Sequence, residues 1–261
     1  QATVLNFTGV GTCLAQSTPG VRVFNCRFIG FQITIGAGDI GIHLNDVSLA
    51  RLEDVVVIGP GIGVGNGTGF RISSVINGGA VYNAFYHCRA LSVENGFDIQ
   101  PLGSNDTHIF DSRATACTRG VYVLDSNHVV IDACAIESGT RGVVVDASIS
   151  AVSDALTVAN TRFEGNTAAN IQFGETFAAA NVRYPNIHNN HHVTGTPIVG
   201  APTFPSFIGD TSGTAESIRI ATPFLNVPFY FERTVAAPAG EVAFHIVDSN
   251  VGSGTPVTVQ I

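Results

Sequence analysis

One position in this chain recurs with side chains that can bind or catalyse. Gly41-Ile42-His43-Leu44, Gly69-Phe70-Arg71-Ile72, Gly96-Phe97-Asp98-Ile99, Gly120-Val121-Tyr122-Val123 and Gly142-Val143-Val144-Val145 each place a glycine before an apolar-x-apolar triplet, and Asn170-Ile171-Gln172-Phe173 continues the series with Asn for Gly. The variable position therefore carries His43, Arg71, Asp98, Tyr122, Val144 and Gln172 in order. An arginine there can bind a carboxylate or hydroxyls, and a tyrosine offers a stacking face and a hydroxyl. Asp98 is the only carboxylate of the row. Glycosidic hydrolysis normally takes two carboxylates about 5 to 10 Å apart, and Asp125, in the loop after Tyr122, is the candidate partner of Asp98. Asp111 and Asp132 form another pair one repeat apart, at positions that read as bends.

The repeats step by 28, 27, 24, 22 and 28 residues, a period that signals a solenoid in which each repeat is one coil. The triplets alternate in-out-in, the strand period, so Ile42 and Leu44 face inward and His43 outward. A second phrase lies between them: Asn25-Cys26-Arg27-Phe28, His87-Cys88-Arg89-Ala90, Asp111-Ser112-Arg113-Ala114, Asp132-Ala133-Cys134-Ala135 and Asn160-Thr161-Arg162-Phe163. Its first residue is polar and suits a tight bend. Three short strands per coil follow: one before the bend, one after it and the Gly-led triplet. No stretch holds a helical period for three turns. Parallel stacking of such strands about 5 Å apart predicts an all-β, right-handed parallel β-helix. A β-sandwich also has many short strands, but its sequence does not repeat at coil length. In a β-helix, His43, Arg71, Asp98 and Tyr122 would form a polar stripe on the order of 15 Å long. The plainer explanation is a solvated strand face.

The Asn-Cys-x-Phe bend, the loop after it and the Gly-Ile-x-Leu strand resemble the pectate-lyase-like superfamily over about residues 1 to 192, and phage tailspike and appendage proteins most of all. The resemblance implies ligands along the strand that follows the bend and loop, which makes His43, Arg71, Tyr122 and Gln172 saccharide-binding candidates and Asp98 and Asp125 catalytic ones. It also implies a ladder of bend residues: Asn25, His87, Asp111, Asp132 and Asn160. The superfamily's enzyme signatures are missing. There is no Asn-Thr-Asp…Asp-Asp…Gly-His-Gly series, no calcium-binding Asp cluster with an Arg base and no Asp-Pro-His motif. No elbow motif presents a Ser nucleophile either.

Composition narrows the partners. Net charge is −8, and all 12 basic residues are Arg, so a negative chain without a basic patch argues against nucleic acid. No apolar run is long enough to cross a bilayer. The five cysteines are Cys13, Cys26, Cys88, Cys117 and Cys134; without Cys-x-x-Cys spacing they read as small core residues, with Cys26 and Cys88 at the same inward position of their coils. The glycine-rich run Gly59 to Gly69 lacks a closing Lys-Ser/Thr and a helix start, and reads as a long turn. His188, His191 and His192 lie among Asn186, Asn189 and Asn190, but no carboxylate can be placed beside them to complete a metal site. No metal or cofactor is expected.

The expected organisation is a β-helix over 1–192, a Pro-rich linker over 193–206 and a β-rich cap or trimerisation region over 207–261. The chain begins at Gln1 inside a strand pattern and has no Met, which reads as a fragment or processed product. The expected function is a virion tailspike or appendage protein, homotrimeric and virion-borne or extracellular, that binds and in one variant degrades a cell-surface polysaccharide. Alternatives are a secreted polysaccharide lyase or glycoside hydrolase, and a purely structural spike or decoration protein.

Overall fold

The computed structural model describes residues 3–6, 12–15 and 23–212, apart from 65–66, 76–79, 102–103, 149–152, 201, 204–205 and 209. Within them the chain winds as an all-β solenoid of parallel strands, with three strands per coil and one short 3-10 turn, Ala179–Asn181. A representative coil runs through Ala84–Tyr86, Arg89–Leu91 and Asn95–Ile99. These stack into a first sheet holding the strands before the bend, a second holding those after it, and a third made of the Gly-led strands.

The register aligns Ile42, Phe70, Phe97, Val121, Val143 and Ile171 in one row. All six are at most 1% exposed. The apolar triplet positions are therefore the core, as the alternation requires, and Phe70 stacks on Phe97 at 5.0 Å with Phe85 edge-on to both.

The glycine before each triplet has a steric cause. A Cβ on Gly69 would lie 2.6 Å from the Gly96 carbonyl oxygen, and one on Gly120 would lie 2.4 Å from Ile136 Cγ2. The third sheet here closes against the second so tightly that no side chain fits. One coil past Gly142 the place is taken by Asn170, and the interior turns polar. Its amide Nδ2 donates to Thr194 O at 2.8 Å and to His192 Nδ1 at 3.2 Å.

The coil turns at residues in the left-handed backbone region, which Asn, Asp, His and Gly adopt most readily. Between the first and second sheets this residue is Gly30, Asp54, His87, Asp111, Ala133, Asn160 and Asn189 in successive coils. Two sequence assignments are thereby corrected. Asn25 belongs to the preceding corner, with Leu49, Tyr82, Asp106 and His128, and Asp132 ends a first-sheet strand while Ala133 makes the bend. Several corners per coil share one residue preference, so a single phrase matches more than one of them. Cys26 accordingly does not align with Cys88; Cys88, Ser112, Cys134, Thr161 and Asn190 share a row. The hydroxyl or amide oxygens of Ser112, Thr161 and Asn190 accept the backbone N–H of the preceding coil. A bonded ladder thus runs one residue after the bend and faces inward, while two pairs of the expected ladder also meet: His87 with Asp111 at 3.3 Å, and Asn160 donating to Asp132 at 2.8 Å.

The stacking extends past His192. Ile198–Val199, inside the stretch expected as linker, pairs with the third sheet, and Ser206–Ile208 and Thr211–Ser212 pair with the first and second. His191 and His192 sit in this continuing stack. His192 is buried and lies flat on Phe163 at 5.1 Å, and its Nε2–H donates to Asp210 at 3.2 Å. Residues 213–261, most of the expected cap or trimerisation region, lie outside the described residues.

Candidate functional site

The third sheet brings the sequence-predicted row together. His43, Arg71, Asp98, Tyr122, Val144 and Gln172 are direct partners from coil to coil. They do not form an open strip. Asp98 and Val144 are fully buried although they face away from the core. The row is divided into two bonded halves.

In the first half, Arg71 closes on Asp98, with both Nε and Nη2 at 2.7 Å from Oδ2. Gln100 donates its amide to the other carboxylate oxygen. Both oxygens of Asp98 are thus engaged, and the Arg71 side chain, 30% exposed, is the part that meets solvent. Next to it, Ser73 donates to Asn45 at 3.0 Å, so its oxygen receives the His43 Nε2–H at 2.7 Å. Burial, and then the Arg71 cation, hold the His43 pKa below its usual value, while Asp98 opposes the shift. The neutral imidazole is the form that this environment favours.

The second half is organised by a buried carboxylate that the triplet row does not contain: Asp146. Tyr122 Oη donates to its Oδ2 at 3.2 Å, and the backbone N–H groups of Glu175 and Thr176 donate to it at 2.8 and 3.2 Å. These bonds lay the segment 174–178 across the outer face of the sheet. Burial and then the Asp146 charge raise the Tyr122 pKa, so the phenol stays protonated and donates. Glu175, carried by the strap, meets two arginines of adjacent coils: Arg119 Nε at 2.5 Å and Arg141 Nη1 at 3.1 Å. Arg141 Nε also donates to Gln172 at 2.7 Å, and Arg119 covers the Tyr122 ring at 5.0 Å. Asp125 stands apart in a structural bond, accepting the Ser148 N–H at 2.6 Å.

The arrangement is chemically a belt of fixed donors. Its two buried carboxylates are saturated by hydrogen bonds, which suits holding charge in place better than moving protons. Asp146, Arg119, Arg141 and Glu175 escaped sequence reasoning because Asp146 lies two residues past the variable position and the strap carries no repeat. Arg119 and Arg141, each directly before its glycine, were the legible signal.

A further outward cluster lies on the first sheet. Tyr86 and Phe110 stack at 5.5 Å, Arg51 of the preceding coil lies 4.5 Å over Tyr86, and His108 meets Phe110 edge-on at 5.4 Å. Among the described residues no group of three or more His, Cys, Asp or Glu is arranged to hold a metal ion, and no helix is long and apolar enough to cross a membrane.

No known family's sequence pattern matches this chain, and no curated protein does. Among solved structures, ORF18 of Geobacillus virus E2 is similar with a TM-score of 0.45 and 12% identity, over 81% of this chain and 48% of that one. The chain therefore spans about half the length of that protein.

Proposed function

We propose that this protein is a β-solenoid spike of the virion-appendage type, which binds a cell-surface polysaccharide along the outer face of its third sheet. The observation that carries the reading is the belt itself. Arg71, Tyr122, Arg141 and Gln172 come from four coils of one sheet, with Asp98 between the first two, and each is fixed by hydrogen bonds. Rigid, planar donors spaced by the coil repeat suit a polymer of repeating hydroxyls, and their immobilisation lowers the entropic cost of binding. The motif resemblance to tailspike proteins supports the virion setting and a homotrimer. The saturated state of Asp98 favours binding over depolymerisation.

The test is an array of bacterial surface polysaccharides probed with the wild type and with Arg71→Gln and Gln172→Ala. Binding by the wild type, weakened by about 1 to 3 kcal/mol in either variant, supports the reading. Binding to no glycan, or equal binding by all three proteins, leaves a structural spike. Release of reducing ends that Asp98→Asn abolishes would turn the reading to a hydrolase.

A further inference from the structure

Arg119 and Arg141 are register partners in adjacent coils and converge on the single carboxylate of Glu175. Each arginine is also held from the sheet itself. Arg119 Nη1 donates to Asn95 Oδ1 at 3.2 Å and lies 3.7 Å from Glu94 Oε1, and its guanidinium covers the Tyr122 ring, while Arg141 Nε donates to Gln172. Removing Glu175 would therefore leave two aligned guanidinium groups in place. Such a fork matches a carboxylate geometrically and by charge.

The carboxylate that fills it rides on the strap rather than on the sheet. The strap leaves the sheet at Gly174, whose φ of +75° and crowded Cβ position, 2.6 Å from Ala179 N, demand glycine. Its anchors near Glu175 are the N–H bonds to Asp146. Farther on, Asn181 bonds the Ala147 and Ser148 carbonyls. The Glu175 side chain is 14% exposed and the two arginines 23% and 26%, so solvent and solutes reach the cluster.

We propose that the Arg119–Arg141 pair is a receptor for a carboxylate of a bound saccharide, and that Glu175 occupies it in the free protein as an internal stand-in. Binding of an acidic sugar residue displaces Glu175 and loosens the strap from its anchor, Asp146. This rests on the polysaccharide reading above and narrows its ligand to a carboxylate-bearing glycan. A single charge exchanges for another, so the exchange needs no co-reactant.

The test titrates oligogalacturonate and its fully methyl-esterified form into the wild-type chain and Glu175→Gln. The expected result is that Glu175→Gln binds the free acid on the order of tenfold tighter than the wild type does, as loss of one charged competitor implies. It should discriminate against the ester, and Arg119→Gln added to it should remove the discrimination. In the wild type, saturating oligogalacturonate should speed amide exchange at Thr176 and Phe177, a readout independent of whether the variants fold. Equal binding of acid and ester by Glu175→Gln, binding of neither, or unchanged amide exchange in the wild type overturns the proposal. If the wild type still binds a neutral polysaccharide on the array through Arg71 and Gln172, the broader reading stands without it. No binding to any neutral or acidic glycan removes both.

Discussion

Arg71 and Asp98 stand opposite each other in adjacent coils, and the guanidinium closes on the carboxylate with two nitrogens at 2.7 Å. One partner is fully buried and the other is partly open to solvent. The carboxylate alone would be costly on this face; with Arg71 and Gln100 it becomes a clamp between coils. Asp98→Asn preserves shape and removes the charge. It should destabilise the protein by about 1 to 3 kcal/mol, the range for a charged hydrogen bond with one partner left unmatched. Urea denaturation checks this, and an unchanged midpoint would show that the pair contributes nothing to the fold.

The glycine row gives a second expectation. Replacing an accommodating glycine by alanine usually stabilises by about 0.4 to 1 kcal/mol through the unfolded chain. At Gly120 the added carbon would sit 2.4 Å from Ile136 and 2.8 Å from the Gly142 carbonyl oxygen. Gly120→Ala should therefore lower the melting temperature, by several degrees if the clash costs about 1 to 3 kcal/mol. A melting point equal to or above that of the wild type would mean that the sheets can part there at no cost.

The solenoid was legible because its cause is periodic. Each Gly-led strand sends two side chains into the core, and the row Ile42, Phe70, Phe97, Val121, Val143 and Ile171 repeats in the sequence at coil length. The bend was legible in kind but not in place, because Asn25 and His87 serve different corners with the same left-handed demand. The outward row was legible as a row, while its state was not. Asp98 is closed off by Arg71 and by Gln100, and Gln100 belongs to no repeat. The Asp146 bonds to the 174–178 backbone join segments about 30 residues apart, and no local pattern announces such a pairing.

Thr107 offers a test of polar accounting inside the core. It is fully buried, and its Oγ1 has no hydrogen-bond partner among the described residues. Its row neighbours in adjacent coils are Asn83, whose amide bonds Val47 and Ala50, and the apolar Val129. An unsatisfied buried hydroxyl costs free energy that a methyl of the same shape does not. Thr107→Val should be stabilising by about 1 kcal/mol, read as a higher midpoint in thermal or urea unfolding. A destabilised variant would show that the hydroxyl is satisfied after all in solution.

His43 sets an acid limit on the site. Its imidazole donates from Nε2 to Ser73, and burial followed by the Arg71 charge depresses its pKa in the folded protein. The unfolded chain titrates this group near 6.5. Below that value the unfolded state binds a proton that the folded state resists, so protonation favours unfolding and stability falls as pH drops from about 6.5 toward the lowered native pKa. Above about pH 7 both states hold neutral imidazole and the contribution is flat. Carboxylates titrate lower and add their own slope, so the informative quantity is the difference between the wild type and His43→Gln. Glutamine can donate to Ser73 but does not titrate. The wild type should lose stability relative to His43→Gln between about pH 6.5 and 5, with parallel curves above pH 7. Parallel curves through the whole range would show that His43 is free to take up its proton in the folded state, and would remove the linkage between Arg71, His43 and the acid stability of this sheet.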